Sequence, residues 1–156
     1  GANIFVPIND MNDTRNGDWL DPKTARPGVS AVNAATGEVL WSHVQDNVCG
    51  EGRPFCDPGV SAAITATEGA VIAGHLDGII RIYDRDSGEI VWSYNTTTPV
   101  TGTNGVVAQG GGMSGSGPAL GAGYMVINSG YGLYNHEAGN ALLVFAPKGT
   151  GSVSAR

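Results

Sequence analysis

The segment Ala31-Val-Asn-Ala-Ala-Thr-Gly-Glu-Val-Leu-Trp41 returns later in the chain as Ile82-Tyr-Asp-Arg-Asp-Ser-Gly-Glu-Ile-Val-Trp92, with order and spacing kept. A degraded third copy of its start stands at Leu143-Val-Phe-Ala146, followed by a Lys148-Gly149 turn. A repeat of this length marks a supersecondary unit that cannot bury its own apolar face and must stack on copies of itself.

Each copy reads as two strands and a turn. The apolar runs before Asn33 and from Val39 to Trp41 alternate as strands do, and Gly37 and Gly88 supply the left-handed residue that a tight hairpin needs. Asn33 and Asp84 stand where a short polar side chain hydrogen-bonds the turn's own backbone. Trp41 and Trp92 offer large rings to pack between neighbouring units, so Gly37, Trp41, Gly88 and Trp92 are assigned to docking one unit on the next, not to chemistry.

The 25 glycines among 156 residues favour short strands and many turns. A net charge of −6 argues against nucleic acid or an anionic membrane as partner, and no apolar run is long enough to span a bilayer. No signal peptide is visible, while Ile4-Phe5-Val6 already reads as strand, so the natural N-terminus is expected elsewhere. Cys49 and Cys56 frame a loop with Gly50, Gly52 and Pro54, and no further Cys or His stands near them to complete a metal site. A local disulfide is expected over two free thiols, which implies an oxidising compartment, periplasmic or extracellular. So short a loop gains only about 2–3 kcal/mol of chain-entropy stabilisation.

In chain order, strands are expected at 2–8, 28–33, 38–44, 60–65, 70–74, 79–83, 89–94, 118–120, 124–128 and 140–145, with a long polar loop at 9–27 and another at 131–136. Four antiparallel strands within the second unit, the innermost of small residues, make a propeller blade. The blade parts fall at 1–46, 57–95 and 113–147, the connectors at 47–56 and 96–112, and a tail at 148–156. The expected fold is thus all-β: about three antiparallel blades of a partial β-propeller, without an inner strand at the front or an outer strand at the back. That set cannot close a ring, so the remainder of the propeller or a complementary chain is the expected partner.

The Asn/Asp-x-x-x-Gly-x-x-x-Trp pattern resembles the blade-docking motif of pyrroloquinoline quinone (PQQ)-type propellers. The pair Cys49 and Cys56, Ser61-Ala-Ala-Ile-Thr-Ala66, and Gly74-His-Leu-Asp-Gly-Ile-Ile-Arg-Ile-Tyr83 are similar to the C-terminal region of polyvinyl alcohol dehydrogenase-like quinoproteins. So are Thr103-Asn-Gly-Val106, Gly110-Gly-Gly-Met-Ser-Gly-Ser-Gly-Pro118, Asn128-Ser-Gly-Tyr-Gly132 and Gly139-Asn-Ala-Leu-Leu143. The resemblance implies an eight-bladed propeller holding PQQ, with Ca²⁺, at its axis. It also implies oxidation of an alcohol or polyol, electrons passed to a cytochrome in the periplasm, and a last blade completed by a strand from the other end of the chain. Two departures stand out: Ser114 occupies a place where an acidic residue is expected, and the 9–27 loop exceeds what a minimal blade needs.

The other motifs have plainer readings. Gly110-x-Gly112-x-x-Gly115 matches a dinucleotide pattern in form only, because Pro118 follows and no helix opens after it. Asp84-Arg-Asp86-Ser-Gly88 opens like a calcium loop but lacks its closing Glu and is read as a turn. His43, His75 and His136 have no metal-ligand spacing and are read as strand or loop residues. The 102–117 stretch admits two readings: a crossover between blades, or glycine backbone lying close to a flat cofactor, with Asn104, Gly112 and Ser114 as contacts and Ser61 to Thr65 as a further contact of the same cofactor. The cofactor would carry the redox chemistry and the protein its positioning. Alcohol oxidation also needs a general base; no buried carboxylate is expected within these residues, so the base is placed on blades beyond them. The alternative function is a non-catalytic propeller serving as a protein-binding or assembly scaffold.

Overall fold

The computed structural model describes residues 2–10, 24–50, 53–131 and 136–147. Most of the 9–27 loop, part of the 131–136 loop, the Lys148-Gly149 turn and the 148–156 tail lie outside the described residues. Among the described residues there are no helices, and three antiparallel sheets carry the architecture. The first sheet is ordered β1 (Asn3–Ile8), β2 (Gly28–Asn33), β3 (Val39–Val44). The second is β4 (Thr65–Ala66), β5 (Ala70–Gly74), β6 (Ile79–Asp84), β7 (Ile90–Asn95). Between the second and third sheets, β8 (Val100–Thr101) and β9 (Val107–Ala108) form a small hairpin, and β10 (Ala119–Gly121), β11 (Tyr124–Ser129) and β12 (Ala141–Phe145) make the third sheet.

The repeat is realised as the same hairpin twice. Gly37 and Gly88 take φ of 75° and 74°, the left-handed region that a Cβ disfavours. The Asn33 carboxamide accepts from Ala35 and Thr36 N–H, as the Asp84 carboxylate does from Asp86 and Ser87 N–H. The loop is four residues long rather than a tight two-residue turn: Asn33 N–H bonds the Glu38 carbonyl and Asp84 N–H the Glu89 carbonyl, both at 2.8 Å. An extra residue then bulges the outer strand at the same place in each sheet, so that Trp41 stands opposite Ala31 and Trp92 opposite Ile82.

Alternation puts the core between sheets. On the middle sheet, Val71, Ala73 and Tyr83 face the first sheet, where Val29, Phe5 and Trp41 meet them with Val60 and Ile64. From its other face, Ile72, Ile80 and Ile82 pack on Met113, Met125, Ile127 and Phe145. A sheet buried on both faces explains why apolar residues occupy both faces of β6, Ile80 and Ile82 on one and Tyr83 on the other, with Arg81 the one charged residue within 79–83. The opposite face of the third sheet is uncovered, with Leu142 64% and Val144 60% exposed.

Two expectations of the sequence need correction. The inner strand read at 60–65 forms only as Thr65–Ala66, because its backbone bonds are shared out between neighbours: Val60 N–H goes to the Ile8 carbonyl and Ala63 N–H to the Gly115 carbonyl. The connector 96–112 holds the β8–β9 hairpin, which the reading missed among so many glycines; Gly105, at φ 78°, makes its turn.

Docking of the first sheet on the second is directional as well as apolar. The Trp41 indole N–H donates to the Arg85 carbonyl (2.9 Å) and His43 Nδ1 to the Gly88 carbonyl (3.1 Å), so two side chains of β3 clamp the β6–β7 turn. A Cβ on Gly88 would lie 2.5 Å from Trp41 Cε3, whereas one on Gly37 meets nothing within 4 Å. The Gly37→Ala substitution is therefore expected to cost roughly 1–2 kcal/mol, for the left-handed backbone alone. Gly88→Ala should lose about 1–3 kcal/mol more from the displaced ring. Urea unfolding of the two variants measures that difference, and equal losses would mean that the ring contact contributes nothing.

Candidate functional site

Two regions gather the polar groups that β-structure cannot use. One is the inner edge, where residues 61–66 run beside residues 114–120. The Thr65 hydroxyl donates to the Pro118 carbonyl, Ala63 N–H donates to the Gly115 carbonyl, and a Cβ on Gly117 would strike the Ala63 backbone. Ser61, Ala63, Gly115 and Ser116 are exposed at this edge and Ser114 is half-buried. The structure therefore brings the 114–118 stretch and the 61–65 segment together.

Asn104 and Gly112 are placed elsewhere. Asn104 is exposed in the β8–β9 turn, where its carbonyl oxygen accepts from Val106 N–H at 3.0 Å. Gly112 is buried; a Cβ there would meet His136 Cβ at 3.0 Å and the Leu76 carbonyl at 3.2 Å. The glycines at 110–112 let one stretch of backbone lie on another, since Gly111 abuts the Glu137 and Ala138 carbonyls and Gly110 the Thr96 and Ser129 hydroxyls.

The second region is the end of the sheets where β1, β3, β5 and β7 finish. His75 is fully buried; its Nδ1 bonds the Pro58 carbonyl (2.8 Å) and its Nε2 the Tyr83 hydroxyl (2.9 Å). A carbonyl only accepts, so Nδ1 carries the proton and Tyr83 donates to Nε2. Burial first, then the Arg81 charge, pulls His75 down to about 3, which keeps the ring neutral. Burial raises the Tyr83 phenol, so it too stays protonated.

Two carboxylates are buried here, correcting the expectation that this chain holds none. Asp77 is 0% exposed, and its oxygens take Arg81 at 2.7 and 3.1 Å and Ile79 N–H at 2.9 Å. Asp77-Gly78 lies in the turn between β5 and β6, but Arg81, four residues on, turns the aspartate inward; that ion pair is the signal the sequence carried. Asp57, 2% exposed, accepts from Gly59 N–H through Oδ1 (2.6 Å), and burial raises its carboxyl to about 6. Over this end runs the loop closed by the Cys49–Cys56 disulfide (Cα–Cα 5.6 Å), formed as expected. From that loop Arg53 reaches the Asp77 carbonyl (2.8 Å) and the Glu137 carboxylate (2.5 Å), tying the second sheet's turn to the third sheet's loop. Among the described residues no three His, Cys, Asp or Glu side chains gather to hold a metal.

Two measurements check this network. Unfolded, His75 takes a proton near 6.5, while the folded state resists until about 3, so its contribution is present above pH 6.5 and is lost as pH falls towards 3. His75→Gln should therefore flatten the acid side of the stability profile relative to the parent, with some stability lost at pH 7; an unchanged slope would contradict the buried neutral ring. Arg81→Met leaves Asp77 buried without its partner and should cost about 3–5 kcal/mol in chemical denaturation.

Comparison with known proteins agrees with this architecture. The PQQ_2 family model, described as outer membrane protein assembly factor BamB, matches residues 19–142. A polyvinylalcohol dehydrogenase from a Pseudomonas species is 32% identical over 157 positions, covering 94% of this chain and 23% of that protein. A second, from Sphingopyxis sp. (strain 113P3), is 37% identical over 117 positions, 73% of this chain and 18% of the relative. The dehydrogenase subunit of the alcohol dehydrogenase (quinone) of Gluconacetobacter polyoxogenes is 38% identical over 46% of this chain and 10% of its own length. The chain thus spans under a quarter of the length of the curated relatives it matches. With a repeat that docks sheet on sheet through Trp and Gly, and a family model covering most of its length, the chain belongs to the PQQ-type β-propeller family.

Proposed function

We propose that this chain contributes blades to a PQQ-dependent quinoprotein alcohol dehydrogenase that oxidises an alcohol or polyol and passes electrons to a cytochrome in the periplasm. The observation that carries the reading is the likeness, over nearly the whole chain, to proteins named polyvinylalcohol dehydrogenase, reinforced by the quinone-type relatives. The uncovered face of the third sheet supports further blades, from the rest of the propeller or a complementary chain, as the partner surface.

The inner edge fits a share in holding a flat quinone. Its small residues leave room for a planar ring, and the Ser61, Ser114 and Ser116 hydroxyls can donate to oxygen acceptors. No charged residue occurs at 61–66 or 114–120, so countercharge for carboxylates must come from other blades, as must the Ca²⁺ site that accompanies the quinone in the family. When bound, PQQ supplies the two-electron acceptor, and the chain's own part is to orient and exclude water. Neither buried aspartate is assigned the base role: Asp77 is fully engaged with Arg81, and Asp57 lies between the first two sheets beside His75.

The family description as an assembly factor favours a second reading, a binding scaffold without catalysis. The two separate in one experiment. The whole propeller that carries these blades, supplied with PQQ and Ca²⁺, should show saturable quenching of tryptophan fluorescence by PQQ and dye-linked oxidation of polyvinyl alcohol or a primary alcohol. Ser114→Ala should weaken PQQ binding roughly three- to tenfold, the worth of one hydrogen bond. Absence of both quenching and oxidation would leave the scaffold reading.

A further inference from the structure

Three buried side-chain oxygens lack any partner among the described residues: Asn9 Oδ1, Gln45 Oε1 and Asp57 Oδ2. All three are acceptors, and all belong to the junction of the first two sheets. Asn9 follows β1, Gln45 follows β3, and Asp57 begins the buried segment 57–60 that passes between the sheets. Asn9 and Asp57 converge: a Cβ on Gly59 would lie 2.7 Å from Asp57 Oδ1 and closer still to Asn9 Oδ1. Gln45, 9% exposed, lines a cavity of about 450 Å³ with Pro27, Asp46 and Pro58, the residue after Asp57. Arg26 lines it as well, but its guanidinium donates to the Ala25 carbonyl (2.7 Å), and the two ion pairs found among the described residues leave Asp57 out.

The repeat supplies an internal control. Gln45 N–H bonds the Pro27 carbonyl as Thr96 N–H bonds that of Gly78, and Val60 N–H bonds the Ile8 carbonyl as Met113 N–H bonds that of His75. Thr96 and Gly110 therefore occupy, at the second junction, the places of Gln45 and Asp57 at the first. There the polar groups satisfy one another. The Thr96 and Ser129 hydroxyls are 2.6 Å apart and bond the Gly78 and Gly111 carbonyls, at 2.6 and 2.9 Å. At the first junction the Gln45 carboxamide and the Asp57 carboxylate stand where the second has the Thr96 hydroxyl and Gly110, His75 stands where the second has Ser129, and Asn9 adds a further carboxamide. Buried acceptors without donors are costly, and a carboxylate among them most of all.

We propose that the first junction is a site for a hard cation, Ca²⁺ by preference, bound by the Asp57 carboxylate with the Asn9 and Gln45 side-chain carbonyl oxygens. Oxygen-only ligands with a single carboxylate suit weak Ca²⁺ binding completed by water and backbone carbonyls. Binding there ties the end of the first sheet to the segment entering the second, so it stiffens the propeller and takes no part in the redox reaction. The site is separate from the Ca²⁺ that accompanies the quinone in the family and does not depend on the dehydrogenase reading.

The test uses quinone-free, chelator-treated protein at pH 7.5, with CaCl₂ as the probe in titration calorimetry and thermal unfolding. One Ca²⁺ per chain should bind at this site, with the unfolding midpoint rising by about 2–5 °C at saturation. Asp57→Asn, which keeps the shape, should weaken binding at least tenfold and abolish the thermal shift. Asn9→Ala should weaken it at least threefold and serves if the first variant folds poorly, while Glu38→Gln, on an exposed turn, should change neither readout. Absence of Ca²⁺ binding, or equal binding by Asp57→Asn and the parent, would overturn the proposal and assign the three oxygens to buried water.

Discussion

The indole of Trp41 against the bare α-carbon of Gly88 is the contact on which the stacking of the first two sheets depends. It needs a left-handed glycine on one sheet and a bulge that turns the tryptophan outward on the other, and the repeat supplies both. Two hydrogen bonds from Trp41 and His43 to the turn's carbonyls then fix its register. Behind this contact Phe5, Trp41 and Tyr83 lie ring upon ring, and Tyr83 carries the order inward to His75. A ring contact at one end of the sheets thus leads to the polar network at the other.

That network shows how one backbone plan accepts different chemistry at successive junctions. After β5 stands His75 bonding the Pro58 carbonyl, and at the end of β11 stands Ser129 bonding the Gly111 carbonyl. The same task, holding the incoming segment to the neighbouring sheet, is done by an imidazole in one place and a hydroxyl in the other. The disulfide loop adds a third tie, since Arg53 bridges the Asp77 turn to Glu137 and the Phe55 carbonyl accepts Glu137 N–H. Three sheets are in this way pinned at one end, which is also where their longest connections lie.

The inner edge is built on the opposite principle. Side chains there are small, and residues 60–65 send hydrogen bonds both ways, Val60 N–H to the Ile8 carbonyl of the first sheet and Ala63 N–H and the Thr65 hydroxyl to the 115–118 stretch before the third. Such an edge has little packing of its own and leaves space at the middle of a ring. A PQQ-type propeller can fill that space with a cofactor or leave it unused, which is why fold alone does not carry the function.

The sequence by itself determined the elements that local physics controls. The Asn/Asp and Gly of the repeat dictate the hairpins, alternation dictates the strands, and the Cys49 and Cys56 spacing dictates a local bridge, because each depends on residues near one another in the chain. The family too was legible, carried by the repeat and the glycine motifs. Only the tertiary structure decided what happens between sheets. It split the expected inner strand at 60–65, whose partners lie on other sheets, and placed a hairpin within the glycine-rich connector. It turned the glycines at 110–112 towards backbone, and it buried Asp57 and Asp77, where no buried carboxylate was expected. Burial of a charge is set by the partners the fold brings to it: Arg81 is that partner for Asp77, while among the described residues no side chain bonds the Asp57 Oδ2.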